Sequence, residues 1–140
     1  MLAITCCGNR AKDGKLVMFE LSARGRFSAA HQLKGYPGAC AEFHGHNWEV
    51  EVFVRGTVLD DTGILLDFRD LKSALNEVLE ELDHVDLNSV AEFKRVNPTS
   101  EHLSRYIFRE LGVKLAAVGG KLDRVSVYET PETRSTYWEE

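Results

Sequence analysis

Apolar and polar residues alternate from Leu16 to Arg24, with Val17, Phe19, Leu21 and Ala23 on one side. A period of two marks a half-buried strand. The pattern predicts a strand that continues through Phe27 to His31, with a bulge near Gly25. The stretch Lys34–Cys40 carries Gly35, Pro37 and Gly38 and reads as a loop. A second alternation places Trp48, Val50, Val52 and Val54 on one face, and Gly56 ends it. Asp60, Asp61, Thr62 and Gly63 then make a turn. Two strands in succession predict an antiparallel pair.

The period changes at Phe68. Leu71, Leu75, Val78, Leu79 and Leu82 follow at steps of three and four, the stripe of an amphipathic helix, with Asp67 as its N-cap. A second helix is predicted from Asn97-Pro98, with Leu103, Tyr106, Ile107 and Leu111 as its stripe and Gly112 as its end. Two strands close the chain. One carries Leu122, Val125 and Val127; the other, Arg134–Trp138, pairs back after Pro131. Strands and helices in runs rather than strict alternation indicate an α+β fold. The expectation is a four-stranded antiparallel sheet, in the order ββααββ, with two helices on one face. The other face and the edges need a partner, so oligomerisation is expected.

Length and composition fit one such domain. The chain has 140 residues, 44% apolar and 28% charged, enough to bury a core without staples. Residues 16–140 are expected to form the domain and residues 1–15 an N-terminal extension. The 17 basic and 22 acidic residues give a net charge of −5. That argues against a broad nucleic-acid face, and it leaves an anionic substrate dependent on local cations or a metal. No apolar run approaches a membrane span, and Met1–Arg10 lacks the pattern of a signal peptide. A cytoplasmic protein is expected. The odd cysteine count (Cys6, Cys7 and Cys40) does not suggest a disulfide framework.

Candidate chemistry concentrates around the first two strands. His44 and His46 flank Gly45 at the start of the second strand, so both imidazoles point to one face. That face is shared with Trp48 and Val50. His31 ends the preceding strand at the same end of the pair. Three histidines with an open fourth position is the arrangement of catalytic zinc, although an H-x-H pair alone is often structural. Cys40 precedes His44 by four positions. Beside a cation a thiol ionises more readily and can act as a base or nucleophile. The same thiol can instead be a fourth metal ligand, or simply a small apolar side chain.

Farther on, Asp83 and His84 form an acid–base pair in L-D-H-V-D-L-N, a stretch equally suited to ending a helix. Thr99 and Ser100, in N-P-T-S-E, offer hydroxyls and free N–H groups at a helix start, for a cap or for a polar ligand. Glu129 continues the inward parity of Val125 and Val127. A carboxylate there requires a donor, either a guanidine-like N–H edge of a ligand or an Arg or Lys of the protein.

Taken together, F-S-A-A-H (Phe27–His31), C-A-E-F-H-G-H-N (Cys40–Asn47), G-I-L-L-D-F (Gly63–Phe68), L-D-H-V-D-L-N, N-P-T-S-E and V-Y-E-T (Val127–Thr130) resemble the 6-pyruvoyltetrahydropterin synthase superfamily. The closest resemblance is to the bacterial 6-carboxytetrahydropterin synthases of queuosine biosynthesis. It implies the tunnelling fold, in which subunits pool their sheets into a barrel, usually as a hexamer of two trimers with sites between subunits. It implies zinc on His31, His44 and His46, and Cys40 as proton acceptor. It further implies His84 in the proton relay, oriented by Asp83, and Glu129 on the amino-pyrimidinone edge of a pterin. The implied substrate is 7,8-dihydroneopterin triphosphate, with no direct role for nucleic acid or membrane. The three residues between Cys40 and His44 favour the carboxy-forming type. Glu42, within that gap, keeps a dihydroneopterin aldolase in view beside a pyruvoyl-forming synthase and a non-catalytic zinc- or pterin-binding module.

Overall fold

A computed structural model describes residues 11–140; Cys6 and Cys7 lie outside the described residues. Two long strands, β1 (Phe19–His31) and β2 (His44–Gly56), form the hairpin that the alternation predicts. They pair antiparallel along their whole length, Phe19 opposite Gly56 and His31 opposite His44. Helix α1 (Phe68–Glu80) follows, then β3 (Val85–Asp86), helix α2 (Ser100–Ala116), β4 (Leu122–Thr130) and β5 (Thr133–Trp138). Short 3₁₀ turns stand at Ala39–Ala41, Leu87–Ser89 and Ala91–Lys94.

Among the described residues the sheet therefore has five strands, not four, in the order β3-β1-β2-β4-β5. The additional strand β3 runs parallel to β1, Ala29 opposite Val85 and Ala30 opposite Asp86. Two residues are too few to show a period in sequence. The remaining pairs are antiparallel.

Both helices lie on one face. Phe27, Trp48, Val50, Val52, Val125 and Val127 of the sheet are buried against Leu71, Leu75 and Val78 of α1 and Leu103, Ile107 and Leu111 of α2. Asp67 caps α1, its carboxylate accepting from the Arg69 N–H at 2.8 Å. Gly25 makes no bulge: β1 runs through it in register. A Cβ there would lie 2.5 Å from Leu79 Cδ1, so the glycine admits α1 close to the sheet.

Two predicted helix boundaries shift. Thr99, not the Asn97-Pro98 pair, caps α2, and Pro98 precedes the cap. Gly112 does not end α2. The helix continues past it and buries Leu115, a further contact with the core that outweighs the modest cost of an interior glycine.

The second sheet face is polar. Arg24 pairs with Glu51 at 3.1 Å, Arg26 with Glu49 at 3.0 Å and Arg124 with Glu20 at 2.8 Å. Among the described residues no helix covers this face, and β3 and β5 are its edges. Among the described residues no helix is long and apolar enough to cross a membrane.

Candidate metal centre

The pairing that sets His31 opposite His44 also sets Ala29 opposite His46. Cross-strand partners share a face, so all three imidazoles emerge on the helix side at one end of the hairpin. On β4, Val127 pairs with Val50, and Glu129 follows two residues later on the same side. The ligand atoms of His31, His44, His46 and Glu129 lie within 4.8 Å of one another.

The hydrogen bonds around this cluster fix its tautomers. His31 Nδ1 lies 2.8 Å from the Pro98 carbonyl oxygen and His44 Nδ1 lies 2.6 Å from that of Glu42. A carbonyl only accepts, so each Nδ1 donates. In the neutral rings each Nε2 is then a bare lone pair. These two Nε2 atoms face one another at 3.0 Å. Two lone pairs repel at that separation unless a cation draws both. His46 Nε2 is buried and makes no hydrogen bond of acceptable geometry, although Glu129 Oε1 stands 2.9 Å away. The same carboxylate oxygen is 3.6 Å from His31 Nε2.

Donors of a tetrahedral zinc at its usual bond lengths stand roughly 3.3 Å apart. The donor set, its spacing and its orphaned nitrogen thus suit a small divalent cation. Burial pushes the His46 imidazole below its ordinary value; the Glu129 carboxylate opposes this and the other two histidines add to it. The neutral ring is the form that ligates. His31 is 1% exposed, so the inner wall of the cluster is dry. Backbone carbonyls that orient ligand histidines in this way are a recurring second layer of metal sites.

Among the described residues Glu129 pairs with neither an arginine nor a lysine; its neighbours are His46 and His31. Cys40 stands outside the cluster, half-buried in the 3₁₀ turn 39–41, with its carbonyl accepting from the Leu33 N–H at 3.0 Å.

Asp83 and His84 do touch, His84 Nδ1 to Asp83 Oδ2 at 2.9 Å. The other Asp83 oxygen accepts from the Ser28 N–H at 2.8 Å, and this bond is the main reason its carboxyl lies below the usual range. His84 holds φ = 57°, alone among the described non-glycine residues in positive φ. Such strain gathers at functional positions. Its side chain is 81% exposed and lies outside the cluster. An open cavity of about 470 Å³ lies beside His84 and is lined by Ser28 and Asn47 of the polar face, with His46 the one cluster residue in its lining.

Thr99 Oγ1 accepts from the His102 N–H at 3.2 Å as the α2 cap, and Ser100 Oγ donates to Glu101 at 3.3 Å. The Pro98 and Glu42 carbonyls were not foreseeable, because a backbone oxygen leaves no residue-type signal.

Comparison with known proteins places this geometry. The family model described as 6-pyruvoyl tetrahydropterin synthase matches residues 20–140. A protein of Archaeoglobus fulgidus with the provisional name 6-carboxy-5,6,7,8-tetrahydropterin synthase is 42% identical over 106 residues, covering 76% of this chain and 84% of its own. A dihydroneopterin monophosphate aldolase of Pyrococcus furiosus is 35% identical over 109 residues, covering 78% and 88%. The solved structure of Caenorhabditis elegans 6-pyruvoyl tetrahydropterin synthase superposes with a TM-score of 0.78 at 29% identity, covering 89% of this chain and 97% of that one. Five strands, two helices on one face and the motifs from Phe27 to Thr130 all fall within the matched span, and the chain belongs to the 6-pyruvoyl tetrahydropterin synthase family.

Proposed function

We propose that the chain is a zinc-dependent 6-carboxytetrahydropterin synthase. It would convert 7,8-dihydroneopterin triphosphate and water to 6-carboxy-5,6,7,8-tetrahydropterin, acetaldehyde and triphosphate, in the cytoplasmic route to queuosine. The observation that carries the reading is the convergence of the donor atoms of His31, His44, His46 and Glu129 at one end of the β1–β2 hairpin.

When bound by the three histidines, zinc supplies Lewis acidity and positive charge, which an acidic chain otherwise lacks at this point. The remaining chemistry belongs to side chains. Cys40 accepts the C–H proton of the substrate side chain. Asp83 holds His84 through Nδ1, which leaves Nε2 to carry a proton in the relay. Glu129 accepts from the amino-pyrimidinone edge of the pterin, and Thr99 and Ser100 contact polar parts of the substrate.

His84 lies outside the histidine cluster of its own chain, with an exposed side chain. We assign the complete site to an interface in a homohexamer of two trimers. The open polar sheet face and the edges β3 and β5 support assembly. No nucleic acid or membrane enters this account.

The three-residue gap between Cys40 and His44 favours the carboxy-forming reaction. The relatives act under different names, so product identity is the test. Zinc-loaded protein is incubated with 7,8-dihydroneopterin triphosphate and the products are identified by mass spectrometry. Acetaldehyde with 6-carboxytetrahydropterin is expected. A retained three-carbon side chain would make it a pyruvoyl-forming synthase, and a two-carbon hydroxyaldehyde still bearing its phosphates an aldolase. Zinc-loaded protein that leaves the pterin unchanged would overturn the enzymatic reading in favour of a binding module.

A further inference from the structure

Strand β1 loses its neighbours at His31. The last pair with β2 is His31 opposite His44, and the last with β3 is Ala30 opposite Asp86. The chain then enters an exposed stretch, residues 34–39, with Gly35 and Gly38 at positive φ. Burial does not hold this stretch in place. Its backbone is nevertheless paired on both sides at its start.

On one side stand two asparagine side chains. Asn88 Oδ1 accepts from the Gln32 N–H at 2.8 Å, and Asn88 Nδ2 donates to the Gln32 carbonyl at 3.0 Å. Asn97 repeats the arrangement two residues along, accepting from the Lys34 N–H and donating to the Lys34 carbonyl, both at 2.9 Å. Alternate residues of an extended chain present their N–H and C=O to the same edge. Each carboxamide therefore takes the place of a peptide group in a neighbouring strand. On the opposite edge the Leu33 N–H donates to the Cys40 carbonyl at 3.0 Å. Residue 33 is thus held between two latches, and what it holds in turn is Cys40.

The latches are themselves anchored. The Asn88 N–H donates to Asp86 Oδ1 at 2.9 Å. The Asn97 carbonyl accepts from His102 Nδ1 at 2.6 Å and from the Thr99 N–H at 2.9 Å, which ties it to the start of α2. The adjacent Pro98 carbonyl accepts from His31 Nδ1. One dipeptide thus orients a histidine of the metal cluster and fixes the loop that carries the thiol.

We propose that Asn88 and Asn97 are positioning residues that hold Cys40 in register with the histidine cluster by completing the strand edge at Gln32 and Lys34. The proposal rests on the reading of Cys40 as proton acceptor.

The test compares wild type, Asn88→Ala/Asn97→Ala, Asn97→Asp and Cys40→Ala as zinc-loaded full-length protein. The double variant is expected to keep its zinc and to speed amide exchange at Gln32, Leu33 and Lys34. Its kcat should fall about 10²-fold, the effect of misplacing a reacting group by about 1 Å, with KM nearly unchanged. Asn97→Asp, which keeps the acceptor and loses the donor, should lose less. If the double variant fails to fold, the same split in Asn97→Asp decides. An inactive Cys40→Ala beside a double variant of normal kcat would overturn the proposal alone. Loss of zinc from the double variant would also overturn it, making the asparagines supports of the metal cluster. An active Cys40→Ala would overturn the reading of Cys40, and the proposal with it.

Discussion

The Nε2 atoms of His31 and His44 face each other at 3.0 Å while the Nδ1–H of each ring is already donated to a backbone carbonyl. Only a shared cation, or protonation of one ring, relieves that arrangement. Metal removal should therefore destabilise the fold. A cation present at about 1,000 times its dissociation constant contributes about 4 kcal/mol. Thermal denaturation with and without a chelator should show a fall of several degrees, restored by zinc. His31→Ala should abolish that difference and bring metal content near zero by elemental analysis.

Glu129 is in reach of the cluster, and on the proposed three-histidine site it is not needed to hold the metal. Three histidines with a replaceable fourth position suffice for a catalytic zinc. Glu129→Gln is expected to retain one zinc per chain and to lose most turnover. Metal analysis and kinetics on the same sample check this; metal loss in step with activity would make the carboxylate an obligatory ligand.

His84 occupies left-handed backbone at φ = 57°. A non-glycine residue there costs about 1–2 kcal/mol, and its exposed side chain contributes little packing in return. His84→Gly should be at least as stable as the parent in urea denaturation, by up to about 1 kcal/mol, while turnover falls by at least about 10²-fold. A variant that is both less stable and fully active would contradict this assignment.

Asp83 links that histidine to β1, and its carboxyl lies below the ordinary value of 3.8, chiefly through the Ser28 N–H. A carboxylate with a lowered folded-state pKa stabilises the fold above its unfolded pKa. That contribution is lost as pH falls through the folded value. The stability gap between wild type and Asp83→Asn should therefore be present at about pH 5 and shrink below about pH 4. Denaturation series at those pH values would show it; a gap that widens in acid would contradict the sign.

Gly25 meets α1. A Cβ would come 2.5 Å from Leu79 Cδ1 and 3.2 Å from Leu75 Cδ2. Overpacking of this kind costs about 1–3 kcal/mol. Gly25→Ala should lose that much in denaturant titrations. Combined with Leu79→Ala it should lose less than the sum of the two, because the second change removes the clashing atom.

Much of this geometry was legible because it depends on period and parity. The alternation through Val50 and Val52 sets which way His44 and His46 point, and the antiparallel pairing brings His31 opposite. Asp67 as a cap and the stripe of Leu71, Leu75 and Val78 follow from local rules. What was not legible depends on tertiary approach. β3 has only two residues, Gly25 is explained by a helix more than forty positions away, and the interior place of Gly112 depends on Leu115 reaching the core. The partner of Glu129 was undecided for the same reason: parity shows where it points, and only the register of β4 against β2 shows that His46 is there.

Three imidazoles of this chain are expected to hold zinc while Cys40 stays off the metal. The zinc K-edge X-ray absorption spectrum of the wild-type protein tests it most directly. The account predicts a shell of nitrogen and oxygen donors at about 2.0–2.2 Å, with the outer scattering of three imidazoles and no sulfur. A sulfur path at about 2.3 Å, or a shell without imidazole, would contradict it.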